Sequence, residues 1–217
     1  ANYLGGRELE PTLSRDDDTA PRLTLGLLAL AVQHANKAIH ATATQVAECN
    51  GMGTTLAAVL VVRGFAFLAH VGDSRVYRLR EGTLVLLTED HSMAAEYRRL
   101  RGDNADPAIL KRYECTLTRS LGSHPEVRVS LHLDDCRPGD RYLLCTDGLW
   151  GVVPEKLMAR IVEDAGDLRS AADRLIEAAN AAGGPDNITA LVVRPVVAHA
   201  GEVAGHAGEA APSWVSG

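Results

Sequence analysis

Leu56-Ala57-Ala58-Val59-Leu60-Val61-Val62, Arg63-Gly64, Phe65-Ala66-Phe67-Leu68-Ala69-His70-Val71: two apolar runs around a two-residue turn read as a β-hairpin. The pattern repeats at once. Residues 76–80 and 83–88 flank Glu81-Gly82, a second hairpin. Further on, Val127, Val129, Leu131 and Leu133 alternate as a half-buried strand over 127–133. Arg137-Pro138-Gly139-Asp140 is a turn, residues 142–145 a buried strand and residues 188–193 the last one.

Helical signals flank this centre. Upstream, residues 23–46 carry Leu23, Leu27, Leu30, Ala31, Ala35, Ala38 and Ile39 at helical spacing, with Pro21 suited to a first turn. Residues 1–4 resemble a helix end, broken by Gly5-Gly6, and 15–18 is a charged loop. Residues 93–101 read as a charged helix, and 102–115 as a mobile surface segment. Pro154 opens a helix to about residue 164, and a second runs from 168 to about 182, stopped by Gly183-Gly184. A β-rich centre with helices early and late predicts an α+β layered sandwich rather than an alternating parallel fold. Residues 1–197 form one expected domain, and the Ala/Gly/Glu/His-rich residues 198–217 a flexible tail.

Hydrophobic residues make up 46 % of the 217 and charged residues 23 %, the profile of a globular protein. The net charge of −6 argues against a nucleic-acid partner, which would recruit clustered Lys and Arg. Cys49, Cys115, Cys136 and Cys145 form no C-x-x-C pair, so reduced thiols in a cytoplasmic protein are expected. There is no signal peptide and no membrane-spanning apolar run of about 18 residues.

Three aspartates stand out by position. Asp147 ends a buried strand and precedes Gly148, Asp186 lies in Gly183-Gly184-Pro185-Asp186-Asn187 before the last strand, and Asp90 follows the strand over 83–88. Carboxylates brought to one rim by rigid strands suit hard cations such as Mg²⁺ and Mn²⁺. Taken singly, each could equally be a turn or cap residue.

Six runs occur in order: Gly51-Met52-Gly53-Thr54-Thr55, His70-Val71-Gly72-Asp73-Ser74-Arg75, Thr88-Glu89-Asp90-His91-Ser92, Leu117-Thr118-Arg119-Ser120-Leu121-Gly122, Cys145-Thr146-Asp147-Gly148-Leu149 and Gly184-Pro185-Asp186-Asn187. Together they resemble the motif series of the metal-dependent protein Ser/Thr phosphatases of the protein phosphatase 2C-like (PPM) family, bacterial type. The resemblance implies an αββα four-layer sandwich of two antiparallel sheets flanked by helices. It implies hydrolysis of phosphoserine and phosphothreonine by a metal-activated water, with two Mn²⁺ or Mg²⁺ ions and a third, weaker one. By motif, Asp147 and Asp186 match metal ligands and Asp90 a ligand of the third ion. Gly148 and Asn187 match backbone or supporting positions. Asp73, Ser74 and Arg75 match a structural turn, residues 91–115 the substrate-facing flap, His91 a helix start, and His70 a core histidine. Expected partners are phosphorylated proteins, namely Ser/Thr kinases and their substrates.

The family's first strands carry its phosphate-binding Arg and its bridging Asp, and nothing before Thr54 matches them. The expectation is therefore an N-terminally incomplete sandwich. The alternative is a non-catalytic PPM-like binding or regulatory domain.

Overall fold

The computed structural model describes residues 19–196, Cys115 excepted. The expected helix end at 1–4, the charged loop at 15–18 and the tail at 198–217 lie outside them. Among the described residues, seven strands form two antiparallel sheets. Strands β1 (Leu56–Val62), β2 (Phe65–Val71) and β5 (Ser130–Asp135) pair in the order β1-β2-β5. Strands β3 (Arg75–Arg80), β4 (Thr83–Leu86), β6 (Arg141–Cys145) and β7 (Ala190–Val193) pair in the order β4-β3-β6-β7.

Both expected hairpins form. Arg63 and Gly64 have φ of 50° and 80°, Glu81 and Gly82 of 50° and 72°. Two successive positive φ angles match the twist of the flanking strands, which is why a glycine stands second in each turn.

Strand alternation sorts the core into three layers. Ala66 and Leu68 of β2 meet Val76 of β3 and Tyr142 and Leu144 of β6 between the sheets. The opposite face of β2, with Phe67, Ala69 and Val71, packs on helix α1 (Ala20–Gln45) through Leu28 and Val32. The outer face of the second sheet, with Tyr77, Leu79 and Leu143, packs on helices α5 (Glu155–Asp164) and α6 (Leu168–Ala181) through Met158, Ile161 and Leu175. Each such fully buried aliphatic side chain contributes roughly 2 kcal/mol. This is the αββα sandwich expected from the sequence. A polar strap also joins the sheets: Arg78 of β3 pairs with Asp134 of β5 at 2.5 Å, and the Tyr142 hydroxyl donates to the same carboxylate at 2.8 Å.

Several expectations need correction. The buried stripe of α1 is Thr24, Leu28, Val32, Asn36 and Ala43, not the row of Leu23, Leu30 and Ala38, all three of which are exposed. Asn36 is fully buried because it ties down a distant loop. Its Oδ1 accepts the Gly122 N–H at 2.8 Å, and its Nδ2 donates to the carbonyls of His124 and Pro125. Residues 102–115 are not irregular throughout. Helix α2 (Met93–Arg101) is followed by a 3-10 turn and by α3 (Pro107–Tyr113), capped by Asp106, whose Oδ1 accepts the Ala108 N–H at 2.8 Å. Asp followed by Pro is a cap followed by a first-turn residue, a start signal inside a polar stretch. The alternation at 127–133 overstated its strand, which begins only at Ser130, while Val127 and Val129 pack beside α1 as irregular chain. Strand β4 ends at Leu86 rather than 88, because the Thr88 side chain takes over and accepts the Val76 N–H at 3.1 Å.

Candidate metal centre

The centre lies at the ends of β6 and β7. Thr146, just past β6, anchors the rim: its N–H donates to the Thr189 carbonyl, and its Oγ1 donates to the Asn187 carbonyl and accepts the Thr189 N–H at 3.0 Å. Asp147 then opens a one-turn helix, α4 (Asp147–Trp150), which the sequence reading missed. Gly148 shows how close the two segments come. A Cβ there would lie 2.3 Å from the Asn187 carbonyl oxygen and 3.4 Å from that of Asp186. Only a glycine lets the backbone after Asp147 press on the backbone after Asp186, so the two expected ligands share one rim. Each carboxylate accepts the next residue's N–H, Gly148 at 2.9 Å for Asp147 and Asn187 at 2.7 Å for Asp186. Asp147 is half-buried and Asp186 exposed.

Asp90 is held differently. Both its oxygens take the Arg75 guanidinium, from Nε at 2.9 Å and Nη2 at 2.7 Å. Arg75 also donates to the Tyr77 hydroxyl at 3.0 Å and lies 3.5 Å from the centroid of the Trp150 ring. Arg75 thus ties the start of the flap to α4. The cap of α2 is neither Asp90 nor His91 but Ser92, whose Oγ accepts the Ala95 N–H. His91 is buried one step earlier and accepts the Gly72 N–H at Nδ1. His70 is the expected buried histidine: its Nε2 meets the Glu89 carbonyl at 2.8 Å and its ring stacks on His91 with centroids 4.5 Å apart.

Asp73 lies in the bend between β2 and β3, where a turn residue is expected, and it is buried as well. It is 7 % exposed, and its backbone carbonyl accepts the Trp150 indole N–H at 3.0 Å. Burial, then the negative charge of Asp147, and in smaller part that of Asp90, push its carboxyl up to about 6. Burial raises it first and the carboxylates of Asp147 and Asp90 add to this against Arg75, so negative charge gathers at this end of the rim. The signal was in the sequence: Gly-Asp-Ser directly after one apolar strand and before another puts an acid at a sheet end. Among the described residues no three His, Cys, Asp or Glu side chains close on one point. Asp147, Asp186 and Asp73 thus offer carboxylate oxygens, the donors a hard divalent cation takes, without forming a closed metal site by themselves.

A family model described as Protein phosphatase 2C matches residues 6–188. The chain belongs to the protein phosphatase 2C family. This member is 40 % identical over 162 residues to the serine/threonine phosphatase stp of Listeria welshimeri, an alignment that covers 75 % of the chain but only 64 % of that relative. It resembles the crystal structure of the Mycobacterium tuberculosis serine/threonine phosphatase PstP/Ppp with a TM-score of 0.72 and 35 % identity, over 85 % of the chain and 77 % of that structure. A PstP catalytic domain in complex with two manganese ions matches at a TM-score of 0.70 and 34 % identity, over 85 % of the chain and 76 % of that domain. The chain thus spans less than two-thirds of the length of that Listeria relative.

Proposed function

We propose that the whole protein is a metal-dependent protein phosphatase that releases phosphate from phosphoserine and phosphothreonine, with Mn²⁺ or Mg²⁺ as its resident cation. Asp147 and Asp186 would hold the cation, and Asp73, beside Asp147, would add charge at the buried end of the same rim. When bound, a divalent cation supplies an activated water and neutralises phosphate oxygens. The protein's own part is to orient. The Gly148–Asn187 contact fixes the spacing of Asp147 and Asp186, and Arg75 fixes Asp90. Asp90 would hold a third, weaker cation, and the Arg75 guanidinium that takes both its oxygens would compete with that ion. The observation that carries this reading is the Gly148–Asn187 contact, which sets Asp147 and Asp186 side by side on one rim with both carboxylates held by backbone N–H groups. Expected partners are phosphorylated proteins, among them Ser/Thr kinases and their substrates, in the cytoplasm. No helix among the described residues is long and apolar enough to cross a membrane. Phosphate release from phosphoserine and phosphothreonine peptides, dependent on Mn²⁺ and abolished by EDTA, is the expected result for the whole protein.

A second reading has one observation in its favour. Asp90 is occupied by Arg75, and the described carboxylates do not close around a point. A non-catalytic module of this kind would bind phosphopeptides with no release of phosphate at any Mn²⁺ concentration.

A further inference from the structure

The base of the flap holds a cation in a conflicted position. His91 accepts the Gly72 N–H at Nδ1, 3.1 Å away. A neutral imidazole has one proton, which must then sit on Nε2 and be donated to Ser130 Oγ at 2.8 Å. Arg119 Nη1 lies 3.0 Å from that same Nε2. Two donors face each other there, and the acceptor Arg119 does reach, Ser130 Oγ at 3.3 Å, is already shared. Among the described residues no carboxylate lies within ion-pair distance of Arg119, Arg99 or Arg128.

Arg119 and Arg128 form the wall between two clefts. One, about 390 Å³ in volume, adds the donors Ser120, Ser123 and His124, with Glu126 its single carboxylate. The other, about 260 Å³, adds Arg99 and runs to Asp90, with Glu89 and Glu96 also in its lining. An anion entering from either side meets Arg119 and Arg128, which line both clefts. The local charge agrees: residues 93–128 carry seven Lys and Arg against five Asp and Glu, in a chain of net charge −6.

We propose that Arg119 and Arg128 form an oxyanion subsite in the cleft that runs to Asp90, which takes a second phosphoryl group on the same substrate segment as the phosphate to be removed. The proposal rests on the phosphatase reading above. Two planar guanidinium groups present the paired donors that a tetrahedral oxyanion accepts, and binding relieves the contact of Arg119 with the His91 N–H. The protein thereby favours multiply phosphorylated segments.

The test is calorimetric titration of the purified protein in EDTA, where no phosphate is released. The probes are a doubly phosphorylated peptide, its singly phosphorylated counterpart and inorganic phosphate. The doubly phosphorylated peptide is expected to bind about tenfold tighter than the single one. Arg119→Gln with Arg128→Gln is expected to erase that gap at an unchanged melting temperature. If the double variant does not fold, Arg128→Gln alone, at an exposed side chain, is expected to narrow it. Equal binding of the two peptides to the wild type overturns the proposal, as does a gap that survives the double substitution. So does binding of inorganic phosphate at this site without any gain for the second peptide phosphate. Failure of the phosphatase reading looks different: no turnover of any peptide with Mn²⁺, whatever the affinities in EDTA.

Discussion

The rim that carries Asp147 and Asp186 and the arm that carries Asp90 hold their carboxylates by opposite means. The rim uses backbone: each aspartate accepts its neighbour's N–H, and Gly148 presses on the Asn187 carbonyl. No arginine among the described residues pairs with either carboxylate. The arm uses a counter-charge, since Arg75 takes both oxygens of Asp90 under the Trp150 ring. A carboxylate fixed by backbone keeps its charge available to a cation. One fixed by a guanidinium must first give up two charge-assisted hydrogen bonds. Two aspartates that look alike in a motif series thus differ in what a metal would meet.

Asp147→Ala in the whole protein breaks the rim side of this comparison most severely. Turnover of para-nitrophenyl phosphate with Mn²⁺ is expected to fall by at least about 100-fold, while the circular dichroism spectrum is kept. Near-wild-type hydrolysis would remove Asp147 from the cation site.

Gly148→Ala attacks the spacing of the rim and leaves its charges in place. A methyl 2.3 Å from the Asn187 carbonyl oxygen must push the two backbones apart. The expected cost is about 1–3 kcal/mol in urea unfolding, as for other overpacked sites. An unchanged unfolding midpoint would mean that the segments yield freely.

Asp73→Asn sharpens the electrostatic contrast. The folded-state pKa of Asp73 is raised, from 3.8 to about 6. Its favourable contribution is therefore complete below pH 3.8 and is lost as pH rises to about 6. In EDTA the asparagine variant is expected to be the more stable protein at pH 7.5, by about 1–3 kcal/mol, with the difference vanishing near pH 4. A pH-independent difference between the two would show that Asp73 carries no buried charge.

Asp90→Ala tests the arm and should have the smallest effect. Activity is expected to drop severalfold at low Mn²⁺ and to recover as the metal is raised. Identical Mn²⁺ titration curves for variant and wild type would leave Asp90 with the single role of holding Arg75 against Trp150.

Both hairpins were legible because a two-residue turn with a glycine and flanking apolar runs is a local signal, written within sixteen residues. Helices α5 and α6 were legible for the same reason, through Pro154 and through Gly183-Gly184. Asp147 follows β6 and Asp186 precedes β7, and because those strands are neighbours the two aspartates fall on one rim. What escaped was set by partners far along the chain. The buried stripe of α1 follows Asn36, which is kept inside by Gly122, His124 and Pro125, some 90 residues away. Periodicity alone cannot prefer a stripe with a buried amide over a row of leucines.

The sequence by itself determined the two hairpins, their turns and the α+β class, and put Asp147 and Asp186 beside strands, because strand alternation and turn chemistry are properties of neighbours. Only the tertiary structure decided the state of each charge. Asp73 is raised because folding buries it beside Asp147, Asp90 is neutralised because β3 delivers Arg75 to it, and Arg119 faces a donor because the Gly72 N–H fixes the tautomer of His91. Coulomb interactions and desolvation depend on distance through space, and a linear sequence carries none of those distances.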